Sequence, residues 1–194
     1  MKILASLYRY QALDATAMKT IFCAIVFLLV FGGCKEKEPE PRFKATDVLV
    51  GFKPEVTIDS VFALINQLQL EVEYIEYSYY RSSLPSDSLQ YVLDYLNTRP
   101  YANGKNWPVS GYLHYKTNVI LVFPRLRHVN DQNNQRDWLN CIKAMKLTEI
   151  SDTEIGKMLY FHVPEGTEKK WIEKFQQMGM VKWAELNYYA EIVR

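Results

Sequence analysis

The pattern of apolar and polar positions at the end of the chain predicts a strand, a helix and a second strand. An apolar run at residues 158–163 is followed by Pro-Glu-Gly-Thr at residues 164–167, where proline and glycine end a strand and Thr167 can cap a helix. The next apolar positions recur at helical spacing, and Gly179 stands where a left-handed helix cap is expected. These apolar positions are Trp171/Ile172, Phe175 and Met178. A second strand then runs over residues 180–193.

The same order of elements is predicted near the start of the globular part, at residues 47–77. Pro-Glu-Val-Thr at residues 54–57 aligns without a gap with residues 164–167, and Thr57 again precedes the helix. The apolar positions of the two helices match as well: Phe62, Ile65 and Leu68 against Ile172, Phe175 and Met178. Two such halves are what a ferredoxin-like βαββαβ sandwich needs, with four antiparallel strands in order 4-1-3-2 and both helices on one face. We therefore predict an α+β fold of this type.

The two strands of the first half are predicted to differ in their positions. The first strand alternates as a half-buried strand should, with Val48, Val50 and Phe52 on one side. The second strand carries three glutamates, Glu71, Glu73 and Glu76. In the ferredoxin-like topology the second strand lies at a sheet edge, where charges of this kind discourage pairing with another chain.

A large α/β insert, residues 78–150, separates the second and third strands. Residues 86–96 are predicted to form a helix with Ser86 as its cap, and residues 136–146 a second helix after a polar run. Residues 109–123 are predicted to form a hairpin that turns at Lys116-Thr117-Asn118 and either extends the sheet or stands beside it. We expect the insert to carry whatever is particular to this protein.

Three stretches of the two halves resemble the propeptides of subtilisin-like serine proteases. They are residues 49–54 (LVGFKP), 163–167 (VPEGT) and 181–188 (VKWAELNY). The last stretch is similar to that family's closing signature V-x-x-A-E-P-N-Y, with Leu186 in the place of proline. The resemblance leaves the insert unexplained. It implies a propeptide-like or inhibitor-like ferredoxin domain over residues 47–194.

The resemblance also implies how the domain would act. In that family the open face of the four-stranded sheet packs against the protease, and the residues after the signature enter the active-site cleft in extended form. Here the entering segment would be Glu191, Ile192, Val193 and Arg194, with Arg194 nearest the catalytic serine. An extended tail of this kind adds a strand to the edge of a cleft. The alternative is that the last strand simply runs to the terminus.

The N-terminal residues have the pattern of a secretory signal. A lysine is followed by an apolar run at residues 21–31 and by two glycines before Cys34, and the run is shorter than the roughly 20 residues of a membrane span. Residues 31–34 resemble a bacterial lipobox, which implies that residues 1–33 are removed and Cys34 is lipidated. Met18 would be the true start, with residues 1–17 upstream of it. The alternative is an uncleaved anchor with an incidental cysteine.

A charged tether is predicted to follow the lipid over residues 34–46. Residues 35–41 alternate charges with two prolines and have nothing to bury. This charged start resembles the export tags of surface-exposed lipoproteins in the Bacteroidetes, and a plain spacer explains it equally well. We therefore predict a bacterial envelope protein that is lipid-anchored to the membrane, either periplasmic or surface-exposed.

Composition and motifs exclude several classes of function. The 23 basic and 22 acidic residues leave no charge excess for nucleic acid, so no nucleic-acid partner is predicted. The catalytic signatures of subtilisin-like proteases are missing, as are phosphate-binding and dinucleotide-binding glycine motifs, HExxH and CxxC. The chain is therefore predicted not to be an enzyme and to need no cofactor.

The remaining candidate residues are one cysteine, three histidines and a set of tyrosines. Cys141 lies at helical spacing between Trp138 and Met145, which favours a small buried side chain over a nucleophile. The histidines, His114, His128 and His162, fall short of the three or four supported ligands of a zinc site, so no metal is predicted. Tyr74, Tyr77, Tyr79, Tyr80 and the pair Tyr188-Tyr189 indicate either a contact surface or only strand preference.

Two functions fit this sequence. The first is an inhibitor or folding helper of a separate subtilisin-like protease, which predicts an uncovered sheet face with apolar or aromatic residues and a projecting tail. The second is a non-inhibitory scaffold or interaction lipoprotein of unknown partner. It predicts that the insert covers that face or that the tail is tied into the sheet.

Overall fold

Two antiparallel β-sheets and four α-helices make up the described part of the chain. This computed structural model describes residues 42–104, 106–151 and 156–189, and its α+β class agrees with the prediction. A short 3-10 helix, Ser86–Ser88, precedes the second α-helix. In chain order the elements are β1 (Phe43–Phe52), α1 (Ile58–Leu68), β2 (Glu71–Glu76), β3 (Tyr80–Ser82), α2 (Leu89–Asn97), β4 (Ser110–Leu113), β5 (Ile120–Phe123), β6 (Leu126–Arg127), α3 (Gln132–Ala144), β7 (Leu147–Glu149), β8 (Met158–His162), α4 (Glu168–Gln176) and β9 (Val181–Tyr188).

The first sheet has five strands in the order β6-β2-β8-β1-β9. β8 is its central strand, and β1 lies between β8 and β9, with Val50 opposite Leu159 of β8 on one side and Ala184 of β9 on the other. The strands of the two sequence halves are therefore neighbours, although the halves are far apart in the chain. All of the elements belong to one compact unit, residues 41–194.

The predicted edge position of β2 is wrong. β6 pairs with it, with Tyr74 opposite Arg127 and Ile75 opposite Leu126. Ile75 and Leu126 are both fully buried, so Leu126 of the insert packs beside β2 and shields Ile75 from solvent. The charged residues of β2 therefore do not define the boundary of the sheet.

One face of the five-stranded sheet packs against helices and forms the core. Alternate residues of the central strands, such as Val50, Leu159 and Phe161, are completely buried, as a strand covered on one face requires. Phe161 contacts Phe175 of α4 with ring centroids 4.8 Å apart. The predicted apolar stripe of α1 belongs to the same core: Ile58, Val61, Phe62 and Ile65 are buried, and Leu68 packs against them.

The two helix starts differ although their sequences match. The side chain of Thr57 accepts a hydrogen bond from the backbone N–H of Ser60, as predicted for a cap. Thr167 makes no such bond, because its hydroxyl donates instead to the carbonyl of Pro164 at 2.5 Å. The predicted cap at Thr167 is therefore wrong.

The predicted left-handed cap at Gly179 is also wrong. The residue after α4, Gln177, stays in the right-handed region, and Gly166 is the one described glycine with positive φ. The N–H of Val181 donates to the carbonyl of Met178, so a turn leads directly into β9. The helix ends at Gln176, so Gly179 does not directly follow it as the expected cap would.

The insert forms a second sheet of four strands in the order β4-β5-β3-β7. The predicted hairpin is present as β4 and β5, and Asn118 has the positive φ that its turn needs. This hairpin belongs to the second sheet and does not extend the first, so the second of the two predicted arrangements applies. The strand β6, which was not predicted, extends the first sheet. On the inner face, the indole N–H of Trp138 donates to the hydroxyl of Tyr80 at 3.2 Å, and both side chains are fully buried.

The helices of the insert begin at positions that differ from the prediction. α3 starts at Gln132 because the Asp131 side chain accepts from the N–H of Asn133 at 2.8 Å, so the polar run is the first turn of the helix. Ser86 lies in the 3-10 helix and does not cap α2. None of the helices within residues 42–189 is long and apolar enough to cross a membrane.

Candidate protein-binding face

The side of the five-stranded sheet opposite the core carries a set of partly exposed apolar and aromatic side chains. We call this set the open face and define it as Leu49, Tyr74, Met158, Tyr160 and Trp183. The strand registers bring its members together, because Leu49 pairs with Tyr160 and because Met158 and Trp183 flank the same residue of β1. Exposed aromatic and apolar side chains that form one patch are typical of contact surfaces.

Gly51 determines how Trp183 lies on the open face. A Cβ atom at Gly51 would be 2.2 Å from Cε2 of the Trp183 indole, so the ring rests directly on the backbone of β1. The indole remains 37% exposed in this position. Because Gly51 has no side chain, the Trp183 indole can pack flat against the β1 backbone.

We expect Gly51→Ala to displace the Trp183 ring and to lower the free energy of unfolding by about 1–3 kcal/mol, the usual cost of overpacking. Gly51 does not have a positive φ, so the clash with the ring is the cause of this loss. Urea denaturation of residues 41–194 measures the effect. If the interpretation is correct, Gly51→Ala costs less in a Trp183→Ala background. Equal costs in the two backgrounds would contradict the contact.

The aromatic surface continues from the open face toward the insert. The rings of Tyr74 and Tyr160 are 4.2 Å apart, and burial raises the pKa of the Tyr74 hydroxyl, so Tyr74 stays uncharged near neutral pH. The guanidinium of Arg125 lies 4.8 Å from the Tyr74 ring and 4.1 Å from the ring of Trp107. Arg125 also forms an ion pair with Glu76, so its charge is already neutralised within the structure.

A buried carboxylate anchors the polar end of the open face. Asp47 is almost fully buried, and its carboxylate accepts hydrogen bonds from Lys44 at 2.7 Å and from the amide of Asn187 at 3.0 Å. His162 Nδ1 lies 2.9 Å from the other carboxylate oxygen. Because Asn187 is near the end of β9, this network ties that end of β9 to β1.

The Asp47 network predicts a loss of stability in acid. Burial opposes ionisation, but the hydrogen bonds from Lys44 and Asn187 outweigh it and hold the pKa of Asp47 below its usual value. A lowered folded pKa contributes stability above the unfolded pKa of about 4, and this contribution disappears as the pH falls through the folded pKa. We therefore expect the free energy of unfolding, measured by urea denaturation, to fall less between pH 6 and pH 3 for Asp47→Asn than for the natural chain.

Glu168 also contributes to the pH dependence of stability, because the hydrogen bond from the Thr46 N–H lowers its pKa. Glu168 is present in both proteins, so its contribution is the same in each. An identical pH dependence for the two proteins would contradict the role of Asp47.

The predicted tail and lipidation site lie outside the described residues. Glu191, Ile192, Val193 and Arg194 follow the last described position, and Cys34 precedes the first. The structure describes the base of the tail, where the N–H of Tyr189 donates to the carbonyl of Arg42 at 3.0 Å. The end of β9 is thus tied to β1 as far as Tyr189.

The three histidines lie in separate places. His114 is 2.9 Å from the Thr117 hydroxyl in the hairpin turn, His162 contacts Asp47, and His128 borders a hollow near Asp131. Within the described ranges, no group of three or more histidine, cysteine, aspartate or glutamate residues is placed to hold a metal ion.

Cys141 is buried, as predicted. Its Sγ lies 3.4 Å from Arg99 Nε and 3.8 Å from the Tyr101 hydroxyl.

Tyrosines of the predicted set have different environments. Tyr80 is fully buried beside Trp138, which agrees with strand preference and packing, whereas Tyr77 is 40% exposed. Tyr74 and Tyr79 are half-buried and contact other aromatic rings. Sequence reasoning missed the open-face role of Trp183, although its alternation with the buried Ala184 and Leu186 could have indicated it.

The open face has the composition of a contact surface. It combines an exposed indole, a half-buried phenol and aliphatic side chains with a rim of charged residues such as Glu185, and its buried carboxylate is fully engaged by Lys44 and Asn187. Groups of this kind bury apolar area against a partner. Comparison of the chain with protein-family models, with curated proteins and with solved structures found no match.

Proposed function

We propose that this chain is an envelope lipoprotein whose folded domain binds a subtilisin-like serine protease and acts as its inhibitor or folding helper. The observation that carries the proposal is the open face, an apolar and aromatic sheet surface that remains partly exposed next to the end of β9. Its fold would be ferredoxin-like, with residues 78–150 inserted between the second and third strands. The neighbour order β9-β1-β8-β2 supports this, because it corresponds to the strand order 4-1-3-2.

The open face would supply the centre of the contact. Trp183 and Tyr160 are residue types that dominate binding energy when a partner covers them. Leu49 of β1, the strand between theirs, pairs with Tyr160. A stable interface buries about 800 Å² on each partner, which is more than these side chains offer alone. The remainder would come from the tail, Glu191 to Arg194, entering the protease cleft as an added strand.

The Asp47 network would preorganise this tail. Asn187 is held by Asp47, and Tyr189 is hydrogen-bonded to Arg42, so the chain is held to the sheet as far as Tyr189. Fixing a segment before binding reduces the entropy that binding must overcome. Lipidation of Cys34 would place the domain at the membrane surface, and a diacylglyceryl group supplies the two chains that stable anchoring requires.

The test is inhibition of subtilisin by residues 41–194 and by three variants of this fragment. We expect removal of residues 191–194 to abolish inhibition, and Trp183→Ala to weaken it by about 30-fold, the effect of losing a hot spot of 2 kcal/mol. Tyr115→Ala is the matched control, because this aromatic ring is also exposed but lies at the hairpin tip of the insert, where it contacts His114 and Lys116. Absent inhibition, or equal inhibition with and without the four tail residues, would refute the proposal.

The alternative is a non-inhibitory scaffold or interaction lipoprotein. The bond between the Tyr189 N–H and the Arg42 carbonyl favours it, because it ties the base of the tail to the sheet. This alternative predicts partner binding that depends on Trp183 but not on residues 191–194. The same set of variants therefore separates the two functions.

A further inference from the structure

The outer face of the second sheet is a separate exposed surface. We call it the insert face and define it as Tyr79, Arg81, Tyr112, Leu121 and Phe123. Tyr112 and Arg81 both pair with Leu121, so the three side chains form a row across β4, β5 and β3. They border a hollow of about 550 Å³, a size within the usual range of ligand pockets.

The aromatic residues of the insert face contact one another and lie outside the buried core. Tyr112 and Phe123 stack with centroids 5.4 Å apart, and Tyr79 meets Phe123 edge-on at 5.3 Å. The neighbouring positions Tyr80 and Val122 point to the other side and are fully buried. Tyr112 is 53% exposed, so apolar area of the insert face remains available to a partner.

Arg81 gives the insert face its charge. Its side chain is exposed on β3, between Leu121 and Thr148, and it forms no ion pair with any residue that the structure describes. Among the residues that the structure describes, no acidic residue borders the hollow, whereas His114 does. Arg125, on the nearby aromatic surface, differs in having Glu76 as its partner. The charge complement of this hollow is therefore an anion.

We propose that the insert face binds an extended acidic peptide segment of a partner protein. Apolar side chains of this segment would pack on Tyr79, Tyr112 and Phe123, and its carboxylate would pair with Arg81, whose planar guanidinium suits bidentate binding. A nucleic acid fits less well, because backbone recognition needs several cations and the whole chain has a net charge of only +1. The insert face thus provides a contact that is independent of any protease.

The experiment is selection of a phage-displayed random heptapeptide library on residues 41–194 and on the Arg81→Glu variant. We expect the natural chain to enrich peptides in which Asp or Glu stands between apolar residues, and Arg81→Glu to enrich Lys or Arg at that position. A fluorescein-labelled copy of the most enriched acidic peptide should bind Arg81→Glu at least about tenfold more weakly, and more weakly at high salt. Tyr112→Ala should weaken it as well, which provides a second variant.

The matched control is Lys116→Glu, which reverses an exposed cation at the hairpin tip that contacts Tyr115 and not the insert face. It should leave the selected sequences unchanged. Enrichment without acidic residues, or equal binding to the natural chain and to Arg81→Glu, would overturn the proposal. Tighter binding of a labelled oligothymidylate or of anionic lipid vesicles, if lost in Arg81→Glu, would overturn it in favour of nucleic acid or membrane.

Discussion

Replacing Phe161 by alanine is expected to lower the free energy of unfolding by about 3–5 kcal/mol, the usual cost of removing a buried phenyl ring. Phe161 lies in β8, between Val48 of β1 and Val72 of β2, and is fully buried. Its ring contacts Phe175 of α4, so the change would leave a cavity where the sheet meets a helix. Urea denaturation of residues 41–194 measures the loss.

Tyr160→Ala is the matched control for Phe161→Ala. Tyr160 is the preceding residue of the same strand, and its side chain is on the open face, where it is partly exposed. We expect this change to cost clearly less stability but to weaken binding of the proposed protease. Equal losses of stability for the two variants would contradict the assignment of one face to the core and the other to a partner.

Local patterns in the sequence were sufficient for the α+β class and for most of the elements. The stripe of α1 was predictable because helical spacing of Ile58, Phe62 and Ile65 reports a single buried side, and Thr57 is a strong local signal for a helix start. The hairpin of the insert was predictable for the same reason, since two apolar runs flank a short polar turn. In each case the information lies within a few residues of the element.

Contacts between distant residues could not be predicted in this way. β6 has only two residues, and its pairing with β2 depends on burial of Leu126 against Ile75. The matching motifs at Thr57 and Thr167 gave different caps because Thr167 bonds to Pro164. The packing of the Trp183 ring on Gly51 requires β1 and β9 to be adjacent in the correct register.

For the candidate surfaces, too, local features could be predicted from the sequence, whereas contacts between distant residues could not. The sequence showed that aromatic residues are frequent. It did not show which of them are buried, as Tyr80 is, and which face solvent, as Tyr112 does. The carboxylate of Asp47 gains its partners from residues far away in the chain, His162 and Asn187. A surface formed by several strands has no compact signature in the sequence.

The two sheets are joined by an ion pair that also caps a helix. The carboxylate of Glu149, at the end of β7, accepts hydrogen bonds from the Ile58 N–H at 2.9 and 3.1 Å, at the start of α1. It also forms an ion pair with Lys157, which donates a further hydrogen bond to the carbonyl of Val56 at 2.7 Å. One carboxylate therefore connects the insert to the first helix and to the residue preceding β8.

We expect Glu149→Ala to cost about 3–5 kcal/mol, because it leaves the buried ammonium of Lys157 without its counter-charge. The Ile58 N–H would lose its partner at the same time, at the positive end of the α1 dipole. The control is the double variant Glu149→Leu with Lys157→Met, which removes both charges and should recover much of the loss. Urea denaturation of the natural chain and both variants decides the question. If Glu149→Ala cost less than about 1 kcal/mol, the pair would be no stronger than a surface ion pair, and the joint between the sheets would depend on apolar packing alone.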